Sequence, residues 1–518
     1  MPYVGNGISK YTTADDLTVT DDVTISDKLT VSGDYVSNTS GTSNLRLGVN
    51  AGNSIASGGN YNVTIGDEAG TALTTGDNNV AIGFEALKTE DANGNNVAVG
   101  YQSLKTQDAG ADAYNVAIGH TAGTALTSGI RATILGGRAG ANLTDADFNT
   151  AIGEQALNTD TKGNKSTAVG QGSLATQNFT TSTDSHNTAV GWYSGVSVTT
   201  GTRNTLIGSG AGDAITTGNQ NTIMGEGAGT ALTDADYNVV FGRAALPADT
   251  LGSRSTAIGY NTLANQNFTT ATNANNVAVG YETGAGITTG IDNVLIGTQA
   301  GDALTDADFN VAVGKVALTT DTLGSRSTAI GHAALSTQNF TTATDNYNVA
   351  VGYHAGVNCT TGTDNTLVGG VAGDALTTGS RNTALGYHAI GNDDVGNRTV
   401  AIGFAALQSQ NFSTSTDTYN TAVGYAAGSS VTTAQNSTFI GGLAGDALTT
   451  ANNNVAVGYK ALQDCAGDNN VGMGSVAMQS NTSGGANTGL GMSALRYNQT
   501  GSSNTAVGDR ALTANTSG

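Results

Sequence analysis

The chain has 518 residues, 74 of them glycine and only two proline, with charged residues at 11% and aromatics at 5%. So little bulky apolar material argues against a conventional globular core, and the scarcity of charge and proline argues against disorder, leaving a repetitive hydrogen-bonded β architecture. A formal net charge of −21 repels phosphate backbones and excludes a basic nucleic-acid footprint.

The start, Met1-Pro2-Tyr3-Val4-Gly5-Asn6, has neither a basic nor an apolar signal region, and no stretch approaches 18 consecutive apolar residues. Neither a cleaved export signal nor a membrane span is expected. Residues 1–14 carry no pattern and read as a docking segment. Residues 15–36 hold three alternating hexads, beginning at Leu17, Val23 and Leu29, which suit a β stalk. From 37 to 518 a phrase Asn-(Val/Thr)-Ala-(Ile/Val)-Gly recurs, as in Asn79-Val80-Ala81-Ile82-Gly83 and Asn504-Thr505-Ala506-Val507-Gly508. Its glycines mark 27 units, most of them 17 residues apart. A fixed period of this size predicts a β-solenoid shaft of about 27 coils with one repeat per turn.

Glycine at the end of each phrase suits a corner where a Cβ would be penalised. The leading Asn, present in 21 of the 27 coils, predicts a column of amides hydrogen-bonded along the stack. The residue before each glycine is apolar in all 27 coils, and the one two places earlier is mostly Val or Thr. Period two puts this pair on one face, expected to line the coil interior. The residue between them is then expected to face away from its own coil. It is usually Ala but becomes bulky at Ile134, Leu206, Ile223, Leu295, Leu367 and Phe439, with recurrent spacings of 72 residues. An apolar outward face needs cover, and identical chains around a common axis supply it, so these six are candidate trimer-axis residues.

Units of 21 residues end at Gly191, Gly280, Gly352 and Gly424. Their extra length must bulge, which makes Phe179, Phe268, Phe340 and Phe412 candidates for exposed contact loops. The turns Leu-Thr-Asp-Ala-Asp at 143–147, 232–236 and 304–308 offer paired carboxylates, read as solvated turns in preference to calcium ligands. In the column before the Asn, Phe148 precedes Lys165, Tyr237 precedes Arg254 and Phe309 precedes Arg326 by one coil, close enough for cation–π contact. Four of the five histidines, His120, His332, His354 and His388, follow motif glycines on the solvent side. Cys359 and Cys465 form no disulfide framework and suit synthesis in a reducing host cytoplasm. No catalytic constellation, cofactor motif or metal-ligand spacing stands out, so no enzymatic activity and no cofactor are expected.

The Asn-x-Ala-x-Gly phrase resembles the head repeats of trimeric autotransporter adhesins (YadA-like). The spelling Asn420-Thr421-Ala422-Val423-Gly424-Tyr425 resembles repeats of bacteriophage tail-fibre proteins, and the likeness spans about residues 40 to 518. The resemblance implies a homotrimeric left-handed β-roll that attaches to surfaces. Because an autotransporter also needs a signal and a C-terminal anchor of membrane strands, neither of which is read here, the tail-fibre branch is preferred. The expectation is a structural virion protein, a tail fibre or similar appendage for host attachment. It would dock to other virion proteins through its N-terminus and contact a host surface glycan or protein, with no nucleic-acid or membrane-inserted partner. The alternative is a bacterial or environmental surface adhesin or filament assembling end to end.

Overall fold

The computed structural model describes residues 40–518; the expected docking segment 1–14 and hexad stalk 15–36 lie outside the described residues. Each coil contributes one three-residue strand, from Leu45–Leu47 to Thr505–Val507, and the rest of the turn runs through tight bends. The strands stack parallel into a single 27-stranded sheet with motif residues in register, as in Ala189↔Leu206 and Leu206↔Ile223. The chain is an all-β solenoid with roughly 17 residues per turn. At about 4.8 Å per coil the stack is about 125 Å long.

Corners and bends explain the composition. Gly170 has φ +134°, and a Cβ there would come 2.2 Å from the carbonyl oxygen of Gly191 in the next coil. Every motif glycine except the last, Gly508, stacks on the next in this way, so any side chain would drive two coils apart. Other bends place ordinary residues in the left-handed region, among them Glu85 at φ 52° and Phe148 at φ 60°, at a cost of about 1–2 kcal/mol each. Many of these bends are tied to adjacent coils by the residue's own N–H: Glu85 donates to the Asp67 carbonyl and Phe148 to the Ile130 carbonyl of the previous coil, both at 3.0 Å, and Leu87 to the Ser103 carbonyl of the next at 2.9 Å.

The Asn column exists, in a form more backbone-directed than an amide ladder. Asn62 Oδ1 accepts the N–H of Asn79 at 2.8 Å, while Asn62 Nδ2 donates to the Gly76 carbonyl at 2.8 Å. Most of these Asn residues clamp the following coil at two points, at sequence offsets of 17 and 14 residues where the coil has its usual length. These side chains are buried, where an unmet backbone group costs about 1–3 kcal/mol.

The sheet faces are the reverse of the expected ones. The middle residue of each strand points into its own coil: Ile134, Leu206, Ile223, Leu295, Leu367 and Phe439 are all 0% exposed within a single chain. They do not line an axis between chains. Its two flanking neighbours face outward, as Ile296 at 39% exposure beside Leu295 shows. The reason is volume. The lumen under the strand is narrow and is ordinarily filled by Ala on the strand and Leu from the opposite bend, for example Ala168 and Leu174. A bulky middle residue fits where the opposite bend carries glycine. Leu206 reaches toward Gly195 and Gly212, Leu295 toward Gly284 and Gly301, and Phe439 toward Gly428 and Gly445; in each case a Cβ on the glycine would approach the side chain within 3 Å. The 72-residue recurrence of bulky residues thus records complementary packing inside one chain.

Candidate functional site

The long coils carry a second device. Gly163–Asn164 pairs in parallel with Thr183–Asp184, adding a two-stranded ladder beside the main sheet, and the arrangement recurs in the other three long coils. Beneath it sits a buried carboxylate. Asp160 Oδ1 accepts the N–H of Gly163 at 3.1 Å and of Phe179 at 3.0 Å, and Oδ2 accepts Gln177 Nε2 at 2.6 Å. Gln177 also donates to Ser166 Oγ at 2.8 Å and accepts from Asn187 Nδ2 at 2.8 Å. Asp249, Asp321 and Asp393 hold the same partners in their coils. Ser166, Ser255, Ser327 and Thr399 stand where the column lacks its Asn, so this network replaces the clamp where the coil lengthens. Burial pushes the carboxyls of Asp249 and Asp393 above their ordinary range.

The phenylalanines of these insertions are not exposed contacts. Phe179, Phe268, Phe340 and Phe412 are only 6%, 6%, 7% and 4% exposed. Phe179 and Phe268 turn back so closely over Gly163 and Gly252 that a Cβ on either glycine would lie 2.8 Å from the ring. An aromatic ring gains more from burial against the bend than from solvent. The exposed tips are instead the short polar segments 180–182, 269–271, 341–343 and 413–415.

Two columns of aromatic residues do face solvent. The residue after the motif glycine forms stacks between successive coils: Phe84 on Tyr101 on His120, Tyr260 on Tyr281, His332 on Tyr353, and Tyr387 on Phe404 on Tyr425, at 5.0–5.5 Å between centroids. Tyr260, His332 and Phe404 lie 72 residues apart, as do Tyr281, Tyr353 and Tyr425. In the column before the Asn, Arg254 lies 5.8 Å from the Tyr237 ring and Arg326 lies 5.0 Å from Phe309, as their spacing predicts. The third pair differs. Lys165 turns to Asp184 at 2.6 Å, and Arg131 covers Phe148 from the preceding coil at 5.4 Å. Tyr237 and Arg254 also line a shallow surface depression.

The remaining polar motifs have structural partners. Asp147, Asp236 and Asp308 accept the N–H of Ile130, Asn219 and Ile291 one coil earlier, at 2.7–2.9 Å. Asp145, Asp234 and Asp306 take hydroxyls from Ser128, Thr217 and Thr289. The paired carboxylates therefore serve as coil-to-coil hydrogen-bond acceptors. Cys359 and Cys465 are free and buried, and burial pushes their thiols up to about 12 and about 11, away from the nucleophilic thiolate. Among the described residues, no helix is long and apolar enough to cross a membrane.

Alternation alone reads the flanking strand positions as interior, whereas they lie on the exterior. The flanking strand positions form two adjacent columns along the sheet. One column is Val or Thr in nearly every coil, as at Val277, Val294 and Thr328. The other is apolar throughout, with Ile118, Leu135, Ile258, Ile296, Ile330, Leu385 and Ile440 all exposed. Neither a protein-family model nor a curated protein sequence matches the chain.

Proposed function

We propose that this chain is the subunit of a rigid homotrimeric fibre, a virion tail fibre or comparable appendage that presents weak surface contacts in a multivalent array. The observation that carries this reading is the apolar outer face of the main sheet. Two side chains wide and about 125 Å long, the strip covers roughly 900 Å², with Thr at about half the positions of one column, and its apolar part still exceeds the few hundred Å² that soluble monomers ordinarily leave uncovered. A neighbouring copy in register offers a strip of the same length and character. The threefold count rests on the resemblance of the repeat to trimeric adhesin heads. Coil-to-coil hydrogen bonds would stiffen each subunit, and the stacked rings beside the strip, recurring every fourth coil or about 19 Å, would supply repeated contact points for a host surface glycan or protein.

The test is analytical ultracentrifugation of the purified chain at micromolar concentration, followed by electron microscopy. Three chains per particle and a rod of about 125 Å for the repeat region are expected. A stable monomer with solvent-accessible Ile296 and Ile330 overturns the proposal.

A further inference from the structure

The coil that ends at Gly119 is two residues longer than its neighbours and occupies the register of the four Asp–Gln networks with different residues. Glu90 stands where those networks have Asp160, Asp91 where they have Thr161, and Asp108 where they have Asn178. In three of the four, the threonine hydroxyl donates to the asparagine side chain at 3.1 Å, as Thr161 does to Asn178. At the first site that donor–acceptor pair has become two carboxylates. The glutamine is retained as Gln107, but its Nε2 has no partner, whereas Gln177 Nε2 donates a hydrogen bond to Asp160.

The result is a concentration of negative charge that forms no ion pair with any of the described cationic side chains. One carboxylate oxygen from each of Glu90, Asp91 and Asp108 lies within 4.8 Å of the other two. Glu90 is 0% exposed, its Oε1 accepts the N–H and Nδ2 of Asn93 at 3.2 and 2.9 Å, and its Oε2 is buried with no hydrogen-bond partner. The nearest lysines on these coils are taken, Lys88 by Glu68 and Glu85 and Lys105 by Glu85. An unpartnered buried carboxylate oxygen is costly, and it sits within an exposed acidic pair that could coordinate a shared ion.

We propose that Glu90, Asp91 and Asp108 bind one calcium ion, which takes the place of the hydrogen bonds found at the equivalent positions. The ion prefers oxygen ligands at about 2.3–2.6 Å and accepts irregular coordination, which suits carboxylates contributed by two neighbouring bends. Magnesium, at about 2.0–2.1 Å, demands near-ideal octahedral geometry and gives up its water reluctantly, which favours calcium at an irregular set. Water fills the remaining positions on the exposed side. The bound ion ties the bend at 89–94 to the longer bend at 106–113, as the Asp–Gln networks tie their own insertions.

The full chain is titrated with calcium chloride by calorimetry and with terbium as a luminescent probe of the same site. One saturable site per chain with Kd of about 0.1–1 mM is expected, in the range of weak extracellular calcium sites, with magnesium competing at least tenfold less well. Asp108→Asn, at an exposed position, weakens binding at least tenfold. The double change Asp91→Thr with Asp108→Asn rebuilds the hydroxyl–amide pair of the other networks and abolishes binding while the far-ultraviolet circular dichroism is unchanged. Absence of a saturable calcium signal up to 10 mM, or a double variant that binds as the parent does, overturns the assignment.

Discussion

The inner face of the main sheet is apolar, while the outer face pairs an apolar column with one of Val and Thr, and the two faces are built on opposite rules. Inward positions are selected by volume, with Ala wherever a leucine fills the lumen and a bulky residue wherever the opposite bend offers two glycines. Outward positions are selected by shape and chemistry without a volume limit, so Val, Thr, Ile, Leu and Met all occur there. A size change on the inner face therefore strains or empties one coil, whereas the same change outside alters only what the sheet meets.

The sharpest way to break this contrast is Phe439→Ala. It leaves a cavity between Gly428 and Gly445 and is expected to cost about 3–5 kcal/mol. Hydrogen exchange should show faster opening of the strands Thr421–Val423, Thr438–Ile440 and Val455–Val457, with distant coils unaffected, because each coil depends mainly on its neighbours. A partial rescue by Gly445→Ala is excluded by the left-handed φ of 59° only in part, since the new methyl would occupy some of the vacated space. Restored protection in the double variant would confirm that the two positions fill one volume.

Asn293→Ala comes next. It strands the N–H of Asn310 and the carbonyl of Ala307, which Asn293 holds at 2.9 and 2.8 Å, for an expected loss of about 2–3 kcal/mol in chemical denaturation. Ile296→Glu with Ile330→Glu makes the opposite case on the outer face. Stability of the separate chain should move by about 0.5 kcal/mol or less per site, while sedimentation shows loss of the proposed assembly. Unfolding of the double variant would mean that the outward face belongs to the folding core of one chain after all.

The smallest effect is that of pH. Burial holds the carboxyls of Asp249, Asp393, Asp213, Asp302, Asp374 and Asp446 above the usual 3.8. The folded chain then binds protons more tightly than the unfolded one, so stability rises as pH falls through the folded values and the gain is complete below the unfolded value. Glu85 opposes this at lower pH. Held at about 2 by Lys105 and Lys88, it contributes stability above 4.5 that is lost as pH falls toward 2. The thermal midpoint should therefore increase modestly as pH falls from neutral toward 3.8 and turn downward as it falls further toward 2. A monotonic fall from neutral pH would show that the raised carboxyls are relieved by some other partner.

Much of this molecule is written in its spacing. Glycines at a period near 17 locate one corner of each coil, the Asn column locates the clamp, and the cation–π partners of Tyr237 and Phe309 follow from counting one coil ahead. The failures share a cause. Alternation in Thr205-Leu206-Ile207 says that the first and third residues share a face, but with apolar residues on both sides it does not say which face is inside. Phe179 was placed in solvent because an insertion must leave the coil somewhere, although the added backbone bulges while its ring returns. Lys165 was assigned to Phe148 on distance alone, before Asp184 in the added ladder came into view as a stronger partner.

By itself, then, the order of residues determined the pitch, the corners and the number of coils, since these depend on local backbone freedom and on groups that recur at a constant offset. Only the tertiary structure decided the direction of the strands' side chains and the partners of the inserted residues. Those depend on how much space the opposite bend leaves, and that space is created by residues about ten positions away whose relation to the strand exists only once the coil has closed.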